Sequence, residues 1–123
     1  MYNYINKGLK MSTNSNIGYV SKEDGKIHYV YCHWDGYYNG LGADLYNRFT
    51  DYDSVVELVE KGDMSYLEEP YTERGEKLNK PRIVDNPKLA YEQSYLYILD
   101  DEVWKTFYYS DFITLEDVLE KLD

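Results

Sequence analysis

Residues 29–42 read YVYCHWDGYYNGLG, and within this stretch a strand pattern gives way to a helical one. Apolar side chains alternate through residues 27–34, and the Asp35-Gly36 pair then ends the alternation. A helical period begins at Leu41. A strand that ends in a glycine-containing loop presents its last side chains at an exposed corner. This corner is therefore where a small-molecule site is most expected.

Two hairpin patterns indicate antiparallel strand pairing in the first and last thirds of the chain. The first joins residues 17–21 to 26–34 through an Asp-Gly pair at 24–25, because such a pair tolerates the positive φ of a tight turn. The second joins residues 94–99 to 103–109 across three acidic residues. Both faces of the 26–34 strand carry apolar bulk, which predicts a hairpin that is covered on both sides or paired at the centre of the sheet.

Three helical segments complete the pattern. Leu41, Leu45 and Phe49 recur at the spacing of one face of a short helix. Capping boxes start at Thr50 and Thr114, where a side-chain oxygen is followed three residues later by a carboxylate and then by an apolar stripe. Helices grouped beside hairpins are typical of an α+β fold. We predict a four-stranded antiparallel sheet, built from the two hairpins, with about three helices mainly on one face.

The chain length indicates a single domain over residues 1–123. Gly62 is predicted to end the second helix. Residues 68–87 contain all three prolines and show no period, so we predict an irregular loop there. Because Met11 resembles a second start, residues 1–10 are interpreted as an N-terminal extension.

Charge and composition exclude several classes of protein. The net charge is −10 and the pI is about 4.6, which disfavours nonspecific binding to nucleic acid or anionic membrane and suits a basic protein partner. A single cysteine cannot form an internal disulfide. No apolar run approaches the roughly 20 residues of a membrane span, and no signal peptide is recognisable. We therefore expect a soluble, cytoplasmic protein that does not bind membranes.

Several short motifs between residues 11 and 67 occur together in one known family. The most specific is YCHWDGY at 31–37; weaker matches are MST at 11–13, Ser15, Ile17-Gly18, Asp24-Gly25, Gly62-Asp63, Ser65 and Leu67. In these motifs the chain resembles a family of small proteins of phages, prophages and mobile elements. It departs from many members at Asn14, where they have a basic residue, and at Tyr38, where they have proline. The family has no settled activity, so the resemblance implies a bacterial host and a mobile-element context, but no catalytic residues.

The acidic side chains concentrate in two parts of the chain. Residues 44–73 have a net charge of −7 and residues 100–123 a net charge of −6, whereas residues 1–30 have a net charge of +2. Carboxylates on a rigid face can imitate a row of phosphates and bind a basic groove, although acidic helix faces also serve solubility alone. The residues predicted to form a partner-binding acidic face are Glu57, Glu60, Glu68, Glu69, Glu116, Asp117 and Glu120.

The corner at 31–38 permits a second interpretation. A nucleotide-like molecule suits a pocket in which His33 and Asp35 bind polar groups and aromatic rings stack on the base. The predicted ligand residues are Tyr31, His33, Trp34, Asp35, Tyr37 and Tyr38. A purely structural interpretation makes Trp34 a core anchor, lets Asp35 cap the next helix, and places Gly36 at a left-handed angle.

Enzymatic chemistry is the least supported class. Adjacent strand residues face opposite ways, so His33 is badly placed to activate Cys32, and the two histidines lack metal-ligand spacing. We therefore expect no catalytic residue, metal or cofactor. Sixteen tyrosines favour a binding protein or a homodimer. The leading prediction is an anti-CRISPR-like inhibitor that mimics nucleic acid and binds a basic host nuclease or defence effector; the alternative is a module that binds or sequesters a nucleotide-like ligand.

Overall fold

The computed structural model describes residues 13–70 and 80–123, in which eight strands and four α-helices form. The strands are β1 Ser15–Val20, β2 Ile27–Cys32, β3 Met64–Tyr66, β4 Glu69–Pro70, β5 Arg82–Val84, β6 Tyr95–Asp100, β7 Val103–Tyr108 and β8 Asp111–Thr114. The helices are α1 Ala43–Arg48, α2 Tyr52–Glu60, α3 Pro87–Ala90 and α4 Leu115–Lys121, and a π-helical turn, Tyr38–Gly42, leads into α1. The α+β class is confirmed. The predicted extension at 1–10 lies outside the described residues.

All eight strands belong to one mixed sheet. Its order is β4-β3-β2-β1-β6-β7-β8, and β5 pairs with the outer edge of β2 beside β3. Both predicted hairpins are confirmed, since β1 pairs with β2 and β6 with β7 in antiparallel fashion. The four-stranded antiparallel sheet is wrong, because β1 and β6 pair in parallel and four short strands extend the edges.

The parallel pair lies at the centre of the sheet, where β6 buries apolar side chains on both faces and β1 buries Ile17 and Tyr19 on one. Ile17 of β1 is opposite Tyr97 of β6, and both are fully buried. Leu96 and Ile98, which point to the other face of β6, are fully buried too. Parallel strands are usually covered on both faces of the sheet, and the middle of the sheet is where both faces are covered. The alternation of apolar residues along each strand is the same whether its neighbour runs parallel or antiparallel, so the sequence pattern did not reveal the parallel pair.

The described residues form four helices instead of the predicted three, and three of them cover one face of the sheet. Helix α2 packs on β1 and β2, whereas α4 packs on β7 and β8 and contacts α1. Their core includes the fully buried side chains Ile17, Val30, Leu45, Val55, Tyr97 and Leu115. Helix α3 packs on the opposite face with Ile27, Tyr29, Leu96 and Phe107. We call these two sides the helical face and the α3 face.

The ends of α2 confirm one signal in the sequence and correct another. Gly62 has a φ of 96° just beyond the helix, as expected of a left-handed stop. The N-cap is Asp51 rather than Thr50, because the Asp51 carboxylate accepts a hydrogen bond from the Ser54 N–H at 3.0 Å. The extended backbone of Asp51 places the better acceptor one residue later than the capping-box pattern indicated.

Residues 68–87 are less irregular than predicted. Strands β4 and β5 lie within this region, and α3 begins at its end. These strands have two and three residues, which is too short for an alternation to be recognised. Residues 71–79 of the predicted loop lie outside the described residues. None of the described helices is long and apolar enough to cross a membrane.

The turn between β6 and β7 offers a test of local strain. Asp100 pairs with Val103, so the turn has two residues, and Asp101 and Glu102 both have positive φ values, 51° and 64°. Such turns favour glycine at the second position. We expect Glu102→Gly to raise the free energy of unfolding by about 1 kcal/mol in urea denaturation, because the left-handed conformation strains other residues. Glu23→Gly, at a turn position with negative φ, is the control and should not stabilise the protein. Equal effects of the two substitutions would show that the positive φ at Glu102 is not a source of strain.

Candidate functional site

The helical face carries half of the net negative charge of the described residues. Residues 43–61 and 114–123 hold nine carboxylates against three cationic side chains, a net charge of −6, whereas residues 82–94 on the α3 face hold two of each. All nine carboxylates are exposed. This set, called the acidic layer, consists of Asp44, Asp51, Asp53, Glu57, Glu60, Glu116, Asp117, Glu120 and Asp123. The helical segments are therefore much more acidic than the α3 segment, and the other twelve described carboxylates lie outside the acidic layer.

Five of the seven acidic residues predicted to bind a partner belong to this layer. Glu57 and Glu60 lie on α2, and the other three, Glu116, Asp117 and Glu120, lie on α4. The remaining two, Glu68 and Glu69, are exposed at the β3–β4 edge of the sheet. Arg48 of α1 pairs with Glu68, so part of the charge at that edge is neutralised. The structure thus divides the predicted set into a helical group and an edge group.

Tyrosine hydroxyls fix two of the carboxylates in the acidic layer. Tyr19 donates a hydrogen bond to Glu60 at 3.2 Å. Partial desolvation, and then the charge and hydrogen bond of Glu116, raise the pKa of Tyr46. The Thr114 hydroxyl accepts a hydrogen bond from the Asp117 N–H at 3.2 Å, which confirms the predicted cap of α4. All of the layer except Asp123 thus lies within a helix or at a helix cap, and α2 and α4 have side-chain caps.

A second concave site lies at the predicted corner. It is a cleft of about 250 Å³, here called the corner cleft, lined by Trp34, Asp35, Tyr37, Gly40, Leu41, Asp44, Arg48, Tyr66 and Leu67. The Trp34 and Tyr66 rings lie 6.4 Å apart between centroids and are inclined by only 27°. Two near-parallel rings beside charged groups can bind a planar polar ligand. Tyr66 and Arg48, which complete the cleft, were not in the predicted ligand set.

Three of the six predicted ligand residues line the corner cleft: Trp34, Asp35 and Tyr37. The Tyr31 hydroxyl and His33 Nδ1 are instead hydrogen-bonded to each other at 2.6 Å. The His33 ring packs edge-on against Trp34, so this pair supports the wall of the cleft from behind. Tyr38 lies in a different groove, formed by tyrosines of β6 and β7.

The backbone at the corner is held tightly, and it differs from the predicted arrangement. Asp35, not Gly36, adopts the left-handed conformation, with a φ of 57°. Gly36 is required for close approach, since a Cβ there would lie 2.7 Å from the Thr13 carbonyl oxygen. The fully buried Tyr97 donates its hydroxyl proton to the Gly36 carbonyl at 2.6 Å. A strained residue in a braced loop is typical of a binding site.

Trp34 is half-buried at the cleft, so its interpretation as a core anchor is wrong. The buried tryptophan is Trp104 of β7, which is only 5% exposed and donates its indole N–H to the Phe49 carbonyl at 2.7 Å. Asp35 is not the cap of the following helical turn, because the capping position is Tyr37. These differences leave Trp34 and Asp35 at the surface, where a ligand can reach them.

Cys32 is buried beneath the corner, and burial raises the pKa of its thiol to about 12. Its sulfur lies 3.8 Å from the Ser65 carbonyl oxygen and 3.9 Å from that of Trp34. At neutral pH the thiol is therefore protonated, a state unsuited to nucleophilic attack.

This burial predicts slow alkylation of Cys32. The pKa is three units above the ordinary value of 9, which lowers the thiolate fraction at pH 8 about a thousandfold. The thiolate is the reacting species, so the rate follows the thiolate fraction. We expect the native protein to react with iodoacetamide at least a hundredfold more slowly than the protein in urea. Mass spectrometry of a labelling time course measures both rates, and Cys32→Ser gives the background. Native labelling close to the rate in urea would contradict the burial.

The sequence did not reveal an ion pair next to the corner between a buried carboxylate and a partly exposed guanidinium. Asp63 is 4% exposed, and its carboxylate accepts hydrogen bonds from the Arg82 guanidinium at 3.1 and 3.2 Å. It also accepts the Tyr31 N–H at 3.0 Å. Hydrogen bonding to Asp63 raises the pKa of Arg82. Asp63 thereby joins β5 to β2; the only signal in the sequence was an acid directly after the helix-ending Gly62.

Within residues 13–70 and 80–123, no three His, Cys, Asp or Glu side chains are grouped so as to hold a metal ion. Neither a protein-family model nor a curated protein nor a solved structure matches the chain. The resemblance to phage and mobile-element proteins, and the function it implies, therefore stay predictions. The acidic layer and the corner cleft are the two candidates from which a function can be argued.

Proposed function

We propose that this protein is a small acidic interaction protein that binds a basic nucleic-acid-binding or defence protein of a bacterial host and competes with nucleic acid for it. The observation that carries the proposal is the acidic layer: nine exposed carboxylates on the helical face, against a nearly neutral α3 face. Charge needed for solubility alone has no reason to gather on one face. A one-sided field both orients and accelerates encounter with a cationic partner.

The proposal requires electrostatics to dominate the binding. Each exposed carboxylate paired with a partner cation contributes roughly 0.2–1 kcal/mol, so several together are needed for a stable complex. Such contacts weaken as the screening length falls from about 10 Å at 0.1 M salt to about 3 Å at 1 M. A nucleic acid of similar charge spacing competes for the same cationic groove.

Capture from bacterial lysate on the immobilised full chain tests this function. We expect basic, nucleic-acid-binding proteins to be retained at about 50 mM NaCl, to elute at about 500 mM, and to be displaced by duplex DNA at low salt. Retention that is unchanged between the two salt concentrations, and is insensitive to DNA, would exclude nucleic-acid mimicry.

A second candidate function is binding of a nucleotide-like molecule in the corner cleft. It is favoured by the Trp34 and Tyr66 rings, whose 6.4 Å separation is slightly less than the roughly 7 Å that a third ring between them requires. Asp35 and Asp44 line the same cleft and repel phosphate. Arg48 also lines it but is paired with Glu68, so the base or nucleoside part is the portion expected to bind. A small rotation of the Trp34 or Tyr66 side chain widens the cleft enough to admit the third ring.

A thermal-shift screen of nucleobases, nucleosides and nucleotides tests the corner cleft. We expect at least one nucleoside to raise the melting temperature of the wild type but not of Trp34→Ala, because the stacking surface is lost. Tyr109→Ala, at an exposed ring outside the corner cleft, is the control and should keep the shift. A shift that survives in Trp34→Ala, or none across the panel, would remove this function.

A further inference from the structure

A groove of about 440 Å³ lies at the end of the sheet where β7 turns into β8. This tyrosine groove is lined by Tyr38, Ser94, Tyr95, Tyr108, Tyr109 and Leu122. Tyr38 meets the Tyr95 ring edge-to-face at 4.8 Å, and the Tyr108 and Tyr109 rings meet at 4.7 Å. Four tyrosines thus form one continuous aromatic wall. None of the predicted partner-binding residues belongs to it.

Tyr109 is the most unusual residue of the wall. It occupies the first position of the two-residue turn between Tyr108 and Asp111, has a φ of 57°, and is 85% exposed. A positive φ at this position ordinarily selects glycine, because a bulky side chain costs about 1–2 kcal/mol there. Exposure of the ring adds no burial to offset that strain. A strained and displayed aromatic side chain is better explained by recognition than by stability.

The charges around the groove indicate the kind of group that it accepts. Its described lining includes no cationic side chain. Asp111 lies opposite Tyr108 in the β7–β8 register and its carboxylate is exposed, whereas the exposed Lys121 and Asp123 on either side of Leu122 have opposite charges. Aromatic faces attract cations, and neighbouring carboxylates strengthen that attraction. The planar guanidinium group of arginine stacks on such rings more readily than the compact ammonium group of lysine.

From this juxtaposition we propose that the tyrosine groove receives an arginine side chain of the basic partner, which stacks on Tyr109 and faces the carboxylate of Asp111. The inference rests on the proposed function, because it names the side chain by which that partner is held. Tyr38 forms the floor of the groove, since its hydroxyl donates a hydrogen bond to the Phe107 carbonyl and fixes the ring. The acidic layer then supplies long-range attraction, and the groove supplies a specific contact.

Fluorescence anisotropy with a labelled peptide of alternating arginine and serine tests the groove in the full chain. We expect Tyr109→Leu to weaken binding about three- to fivefold, as for loss of one exposed cation–π contact, and Tyr109→Phe to bind like the wild type. Tyr91→Leu, an exposed tyrosine outside the groove lining, is the control and should leave the affinity unchanged. Because Tyr109 is 85% exposed, unfolding of the two Tyr109 variants should remain that of the wild type.

The same experiment separates failure of the groove from failure of the proposed function. Salt-sensitive peptide binding that Tyr109→Leu does not weaken would overturn the groove alone, whereas no binding by the wild type would overturn both. A peptide with citrulline in place of arginine, or a proline-rich uncharged peptide, should bind far more weakly; equal affinity would overturn the cation assignment. A dimer in sedimentation that Tyr109→Leu dissociates would place a second copy in the groove instead, and would also overturn it.

Discussion

Asp63→Ala is expected to lower the free energy of unfolding by about 3 kcal/mol. The substitution removes two charge-assisted hydrogen bonds from Arg82 and leaves the Tyr31 N–H without this acceptor. Each such loss typically costs about 1–3 kcal/mol, and hydration of the 41%-exposed Arg82 side chain reduces the total. Equilibrium urea denaturation followed by circular dichroism measures the change.

An exposed ion pair of the same strand region provides the matched control. Asp85 is 77% exposed and lies 3.7 Å from Lys26, so Asp85→Ala is expected to change stability by less than about 0.5 kcal/mol. Asp63→Asn should be intermediate, since the amide oxygen still accepts one hydrogen bond. Equal effects of Asp63→Ala and Asp85→Ala would show that burial of Asp63 is not what joins β5 to β2.

Features set by neighbouring residues were predictable from the sequence. The Asp24-Gly25 turn forms with a φ of 72° at Gly25, because only a residue without a Cβ adopts that angle freely. The cap at Thr114 and the stop at Gly62 follow from equally local chemistry. In the same way, exposure of Glu57 and the acids of α4 followed from the apolar stripes of their helices.

Features that join distant segments were not predictable. The β1–β6 pair connects residues about eighty positions apart, and alternation does not state whether two strands run parallel or antiparallel. Asp63 and Arg82 are ordinary surface residue types until the fold buries one of them. The corner cleft likewise needs Tyr66, whose approach to Trp34 depends on the parallel contact between β2 and β3.

Neutralising three carboxylates of the acidic layer is expected to weaken partner binding about tenfold, if each contributes roughly 0.5 kcal/mol. The variant combines Glu57→Gln, Asp117→Asn and Glu120→Gln on exposed positions of α2 and α4. A matched variant combines Glu23→Gln, Asp85→Asn and Asp100→Asn, outside the acidic layer. Both raise the net charge by three units, and the matched variant also breaks the solvent-accessible ion pairs of Asp85 with Lys26 and of Asp100 with Lys105, which contribute little to stability.

The most direct test of the central claim compares lysate capture by the wild type and by these two variants at low salt. The account predicts that the wild type and the matched variant retain the same basic proteins, and that the variant neutralised in the acidic layer loses most of them. Equal retention by the two variants would mean that the location of the charge is irrelevant, and it would contradict a partner-binding acidic layer.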